Sequence, residues 1–574
     1  MDRTAWIAVV VSAAGLVVWY SYMARQTLPR PVSATEGAPI TLFSSPTPSA
    51  AASIPAPPVP TGSATPSPSV SVPAFPEARE TLSNSDVELH LTNRGGGIAE
   101  AVLLNHKDEH GRVTINAGDH PPIGAIMDNP AAPALPEYKA TRQGDAVQYE
   151  YVSPEQLTIR KKYFFPPAAE KKDNYIGELD LTLQNGGSKP YANSGYYLGL
   201  GTAAPIHPKD YPSYTRLVWC VDAKAKGVDV TWFAGGNGLL GFGQRVAQPF
   251  YQENVKGADW AAVSSQFFAT IITSLDAKAD SVWARRYDIA TEQKLWGMEG
   301  AMHMPAVNIP PGQSYSGRFE IYAGPKLYHK LARLEHSEAE IMNFGIFKLV
   351  SQFLLNFMNW LHSIFKDYAI AILALTTVIR LVLWPIQGKA NRSMKQTAAL
   401  APKMQELRDK YKDDPTRMNQ EVMKMYKQYG INPVGGCLPM VVQIPIFFGL
   451  YQMLGQAVEL RNEKFLWVPD LSQPDTVAHL PGLDWPINIL PLCMAATQVW
   501  LMQMTPKTGD PTQRRVMMFT PLIFMFICYN FAAALALYYT AQNLFSILQF
   551  YQTKNQPMPA LAKVAPPGKG PRKK

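Results

Sequence analysis

The run 516–552 restricts this chain more than any other feature, because it carries no Asp, Glu, Lys or Arg. As one helix it would reach about 55 Å, against a hydrocarbon core of about 30 Å. Arg514 and Arg515 precede it and Lys554 follows it. Basic residues collect on the cytoplasmic side of a membrane. Both flanks therefore belong on one side, and the run must fold back on itself. A split near 531–533 gives a fifth and a sixth span. Shorter apolar runs supply the others: 5–23, closed by Trp19, Tyr20 and Tyr22, then 368–386, 434–454 and 487–504. The first is too long, and too aromatic at its exit, for a cleaved signal peptide.

The rest of the chain is not membrane-like. Although 47% of its 574 residues are hydrophobic, the mean hydropathy is only −0.10, so soluble parts must be mixed in. Residues 28–78 are rich in Pro, Ser and Ala with no periodicity, a disordered tether. From 79 to 340 the pattern alternates: Val87, Leu89 and Leu91, and again Leu179, Leu181 and Leu183, stand between polar residues. Turn signals such as Asn93-Arg94-Gly95 and Asn185-Gly186-Gly187 recur, which predicts one large all-β sandwich. In 341–366 apolar residues return at helical spacing (Phe353, Phe357, Trp360, Leu361) with Lys348, Gln352 and Asn356 between them, an amphipathic interfacial helix.

The fold class expected is thus a multidomain membrane protein, a β-sandwich joined to an α-helical bundle of six transmembrane helices. The order is 1–27 first span, 28–78 tether, 79–340 sandwich, 341–366 surface helix and 367–387 second span. A helical hairpin (388–431), the third span (432–455), an outside loop (456–486), the fourth span (487–505), the fifth and sixth (516–552) and a basic tail (553–574) follow. The connection 388–431 holds ten basic residues against five acidic ones, which places it in the cytoplasm. The loop 456–486 has Arg461 and Lys464 against Glu459, Glu463, Asp470, Asp475 and Asp484, and faces out. Counting back, the sandwich lies outside and both termini inside. Within the hairpin, Ala399, Met404, Leu407 and Tyr411 are expected to face Met418, Val422, Met425 and Tyr429 across Asp413-Asp414-Pro415.

One residue carries the chemistry. Arg380 lies nine positions before Lys389, about 13 Å of helix inside the second span. A cation at that depth costs about 2.5–3.5 kcal/mol on insertion scales. No Asp or Glu lies inside any of the six spans, so no internal ion pair can neutralise it. The remaining solution is a hydrated groove, for which Thr376, Thr377, Gln443, Gln498, Gln542, Asn543 and Ser546 are the candidate walls. A bland reading, an arginine that only reaches lipid phosphates, needs no groove.

The residues around Arg380 resemble the YidC/Oxa/Alb insertase family. Thr377-Val-Ile-Arg380 with Trp384-Pro385 is similar to the family's second-span signature. Asn432-Pro433-Val434-Gly435-Gly436-Cys437-Leu438-Pro439 with Gln443-Ile-Pro445-Ile-Phe447 resembles its third, and Leu537-Tyr538-Tyr539 with Asn543-Leu544 its sixth. Tyr322-Ala323-Gly324-Pro325-Lys326 is similar to the end of its periplasmic domain. Where the family has a Pro and Gly turn before the sixth span, Asn530-Phe-Ala-Ala-Ala-Leu stands here. The resemblance implies an inner-membrane insertase and chaperone, not an enzyme. It would act alone or with the Sec translocon and its accessory subunits on nascent membrane proteins, without a cofactor. Thr376, Tyr538 and Tyr539 match substrate-contacting positions. The hairpin and basic tail would meet the ribosome, the targeting machinery or membrane lipids.

Other signals weigh less. Gly236-x-Gly238-x-x-Gly241 matches a dinucleotide fingerprint, but Gly243 and Pro249 break the helix it needs. His106 and His110 have a metal-ligand spacing but sit in what reads as a charged loop. Cys220, Cys437, Cys493 and Cys528 read as small apolar residues. The alternatives are a transporter or channel, which would need repeated or broken helices, and a membrane-anchored, carbohydrate-active sandwich, which rests on fold analogy alone.

Overall fold

The computed structural model describes residues 75–167, 170, 173–236, 245–290, 295–412, 414–431, 438–482, 485–505 and 511–554. The first span, most of the tether, the glycine loop beyond Gly236, Asn432–Cys437 and the basic tail from 555 lie outside the described residues.

Alternating sequence becomes antiparallel sheet. A nine-stranded sheet runs, in spatial order, through Lys224–Asp229, Arg216–Val221, Trp260–Ser264, Phe268–Ser274, Ser314–Pro325, Ile176–Asn185, Leu157–Phe164, Ala146–Val152 and Lys139–Gln143. A five-stranded sheet (Tyr251–Ala258, Ala279–Ala290, Leu295–Met304, Tyr196–Ala203, Ile126–Met127) packs on it. Gly300 marks the close approach: a Cβ there would lie 2.6 Å from Val263 Cγ1 of the facing sheet. A four-stranded sheet spans Arg79–Ser83, Val87–Thr92, Gly97–Asp108 and Gly111–Ile115. Val87, Leu89 and Leu91 all point into the core, as a period of two requires. Trp260, Phe267 and Phe268 are core residues as well. His106 and His110 do not share a loop. His106 lies within the strand Gly97–Asp108 and packs edge-on against Phe268, and His110 sits in the tight turn to the next strand.

Helices follow. The surface helix α1 (Lys348–Phe365) buries Leu354, Leu355, Met358 and Leu361 and leaves Leu349, Phe353, Trp360 and Ile364 exposed. Its C-terminus turns through Lys366 in the left-handed region, and Asp367 then caps α2 (Tyr368–Ala399) by accepting from Ile370 N at 2.9 Å. The α2 helix continues through Pro385 to Ala399, beyond the expected end of the second span. It breaks at Leu400, and Pro402 then stands in the first turn of α3 (Ala401–Lys410), where a missing N–H costs no helix hydrogen bond. The first arm of the hairpin expected over 388–431 is therefore α3 alone, since 388–399 continues α2. It packs on α4 (Pro415–Gln428) through Leu400, Met404 and Leu407 against Val422, Met425 and Tyr426.

The remaining helices are α5 (Leu438–Leu454), α6 (Ile489–Met504), α7 (Pro511–Cys528) and α8 (Ala533–Lys554). Among the described residues, α2 alone is long and apolar enough to cross a bilayer by that measure. Shorter apolar helices are Val441–Leu454, Ile489–Met504 and Phe519–Cys528. The run 516–552 breaks between Cys528 and Ala533 without a proline or glycine. Two carbonyls of the loop between α5 and α6 cap α8 instead: Gln473 O accepts from Ala533 N at 2.8 Å and Leu471 O from Ala534 N at 3.0 Å.

Candidate functional site

The β domain sits on one end of the bundle. Tyr211 donates to Asn530 O at 2.8 Å, Gln266 to Gly455 O at 2.9 Å and Gln473 to Asp210 at 2.9 Å. These contacts fix which end of each helix is near the sandwich. The cavity lies toward the other end. It has a volume of about 500 Å3 and is lined by five helices: Arg380, Gln387 and Met394 of α2, Gln443, Ile444 and Phe447 of α5, Gln498, Leu501 and Thr505 of α6, Thr520 and Phe524 of α7, and Tyr539, Gln542, Asn543, Ser546 and Phe550 of α8. On α2 the wall extends about 21 Å from Arg380 to Met394.

Helical geometry assembles it. Arg380, Gln387 and Met394 recur every seven residues, and 539, 542, 543, 546 and 550 follow the three-and-four spacing of one helix face. The amides tie the walls together. Gln443 donates to Gln542 at 3.3 Å, and Asn543 donates to Thr497 at 3.1 Å and to Gln498 at 3.4 Å. Arg380 is half-buried, and the ionisable groups nearest to act on it are Tyr538 and Tyr539. Among the described residues, none of its neighbours is a carboxylate.

Toward the sandwich the cavity ends in aromatic rings. Phe447, Phe524 and Tyr539 pack with centroids 5.4–5.5 Å apart, and Tyr538 stands perpendicular to Tyr539 at 5.1 Å. Tyr451, Phe531 and Tyr211 continue the stack at 4.9 and 6.1 Å. Offset and edge-on ring packing of this kind fills space densely.

Of the expected residues, Arg380, Gln443, Gln498, Tyr539, Gln542, Asn543 and Ser546 line this cavity. Thr376, Thr377 and Tyr538 do not. Both threonine hydroxyls donate back to their own helix, to Ile372 O at 2.7 Å and Leu373 O at 2.8 Å, as threonines in apolar helices do. Tyr538 is fully buried. Gln387, Thr505 and Thr520 went unmarked, although Gln387 stands one heptad beyond Arg380 and was readable from that spacing. Among the described residues, no cluster of three or more His, Cys, Asp or Glu side chains is placed to hold a metal ion. Cys220, Cys493 and Cys528 are free thiols.

A family model described as "60Kd inner membrane protein" matches residues 360–559, and one described as "YidC periplasmic domain" matches 79–358. The chain belongs to the YidC family. A protein of Syntrophus aciditrophicus named "Membrane protein insertase YidC" is 29% identical over 97% of this chain and 100% of its own length. One of the same name from Nitratidesulfovibrio vulgaris is 34% identical over 62% of this chain and 61% of its own. A solved structure described as an active YidC insertase with the first transmembrane domain resolved is 16% identical over 84% of this chain and 94% of that one, with a TM-score of 0.35. Membership in the family gives the chain a helical membrane region and a large periplasmic β-sheet domain.

Proposed function

We propose that this protein inserts integral membrane proteins into the inner membrane and helps them fold, alone or with the Sec translocon. In this reading α2, α5, α6, α7 and α8 cross the bilayer, and the N-terminal apolar run adds a sixth span. The β domain is outside, so the amide-lined cavity opens toward the cytoplasm and its aromatic end closes it from the periplasm. One observation carries the reading: Arg380 stands in a cavity whose wall mixes amides and hydroxyls with apolar side chains, and among the described residues no carboxylate stands beside it. A cation so placed is costly unless water or an anionic partner reaches it. The groove admits both.

The mechanism follows from charge and area. Acidic residues in a substrate's short outside segment are drawn to Arg380, and the groove's water and amides lower the cost of bringing that polar segment partway across. The substrate's apolar helix then moves into lipid. Its burial supplies about 25 cal/mol per Å2, with help from the membrane potential on each charge. The hairpin of α3 and α4 and the basic tail are the proposed cytoplasmic contacts for ribosome and targeting machinery. Arg380→Ala should block insertion of substrates whose outside segments are acidic. Arg380→Lys should restore part of it, since charge matters more than the fork of the guanidinium. Reconstituted vesicles and a protease-protection assay read both. Full insertion by the Ala variant would sink the reading.

A further inference from the structure

The loop between α5 and α6 is more than a connection. Thr476–His479 pairs antiparallel with Pro486–Asn488, with a register shift around Val477. The root of this hairpin is fixed. Thr476 Oγ1 donates to Asn488 Oδ1 at 2.7 Å, Asn488 Nδ2 to Tyr529 O at 2.7 Å, and Tyr529 Oη to Pro486 O at 2.6 Å. The buried Asp475 accepts from Leu490 N at 2.6 Å in the first turn of α6 and from Trp467 Nε1 at 3.2 Å.

What the rigid root presents is apolar. Val477, Leu480 and Trp485 are exposed, and the segment 476–488 carries a single formally charged residue, Asp484. Leu466 is 77% exposed in the left-handed region, at φ 51°, in a tight turn bridged by Phe465 and Val468. A bulky non-glycine residue held there is strained, and strain with exposure points to a contact made outside the chain.

We infer that this hairpin and the 465–468 turn rest in the outer headgroup layer of the bilayer. The occupant is lipid because the exposed apolar surface is continuous with the flanks of the helices the hairpin joins. Trp485 packs on Tyr529 with ring centroids 6.0 Å apart, and just beyond Tyr529 lie the exposed Phe526 and Ile527 of α7, with the exposed Leu492 on α6. The hydrogen bond to Asp475 ties the Trp467 indole to the level of the first turn of α6. Tryptophan and tyrosine at helix ends, apolar in body and polar at the tip, are the residues of that layer. The hairpin thereby sets the depth at which α6 and α7, two walls of the groove, sit. The inference rests on the reading that those helices span the membrane.

The test uses the full chain in lipid vesicles, with Cys493→Ser removing the half-buried thiol and Cys437→Ser the one outside the described residues. Single cysteines carrying an environment-sensitive fluorophore are placed at Leu480→Cys and, independently, Val477→Cys. Asp145→Cys on an exposed turn of the β domain serves as the water reference, and Ile523→Cys on α7 as the hydrocarbon reference. Lipids with a nitroxide near the headgroup should quench the labels at 477 and 480 more than lipids with a nitroxide deep in the chain, and the label at 523 should show the reverse. Labels at 477 and 480 that behave like the one at 145, while 523 is quenched, overturn the inference and leave the spans standing. Labels shielded from water but quenched by neither lipid mean a protein occupant, and overturn it too. An unquenched label at 523 removes the spans and the inference together.

Discussion

Three buried charges of the β domain and the cation of the helical region stand in opposite settings. In the β domain Lys161, Glu299 and Glu338 are tied. Lys161, fully buried, donates to Gly95 O at 2.5 Å and Gly124 O at 3.1 Å. Glu299 is held by Arg285 through Nε at 2.9 Å and Nη2 at 2.8 Å. Glu338 accepts from Thr273 and from His336 N. In the helical region Arg380 is surrounded by amides and rings, and among the described residues no carboxylate answers it. Charges in the first region are closed into the fold, where losing a partner is what costs stability. On the proposed function, the charge in the second is left for something that comes and goes, and Arg380 works on substrate rather than holding the fold together.

The largest expected effect breaks that contrast if it fails. Arg380→Ala should abolish insertion of acidic-segment substrates while leaving thermal unfolding in detergent unchanged or slightly later, because nothing in the fold depends on the guanidinium. A marked loss of stability would mean that the cation is structural after all. The mirror experiment is Arg285→Ala, which strands Glu299 in the β core. It should destabilise the β domain by about 3 kcal/mol, seen as earlier loss of its circular-dichroism signal on heating, with insertion per folded molecule intact.

Much of this division was legible before any coordinates. Alternation at 87, 89 and 91 gave sheet because a period of two leaves no other face to bury. Arg380 stood out because a cation in a span without acids has few solutions. The lining amides are legible from their chemistry, which points equally to Thr376 and Thr377, while Tyr538 stands out only through the family resemblance. Their direction depends on helix rotation and on hydroxyls satisfied by their own backbone, which composition does not report. The hairpin at 476–488 was invisible because its strands are too short to show a period. The turn into α8 lacked its usual residues because two loop carbonyls and Tyr211 hold it, all distant in sequence.

A weaker effect sharpens the comparison through pH. Burial, with Arg216 nearby, holds the Lys326 amine down to about 7. An unfolded lysine titrates near 10.4. Between those values the unfolded chain carries a proton that the folded one lacks, so stability rises with pH across that window. The Cys220 thiol, pushed up by burial, and the tyrosines act with the opposite sign from about 8.5 and 10, so the clean range is about 7 to 8. Lys326→Met should remove one proton's worth of that slope from melts of the β domain.

The smallest effect tests whether the amides or the cation carry the groove. Gln542→Leu keeps the volume and removes the acceptor for Gln443. The amide of Gln443 lines the cavity and can turn to water there, so the change in stability should stay within about 1 kcal/mol. Insertion should slow, since one wall becomes less wettable, but far less than with Arg380→Ala, because the charge that attracts the substrate remains. Equal damage from the two variants would shift the weight from the cation to the hydrated wall, and Arg380 would then serve mainly to keep that wall wet.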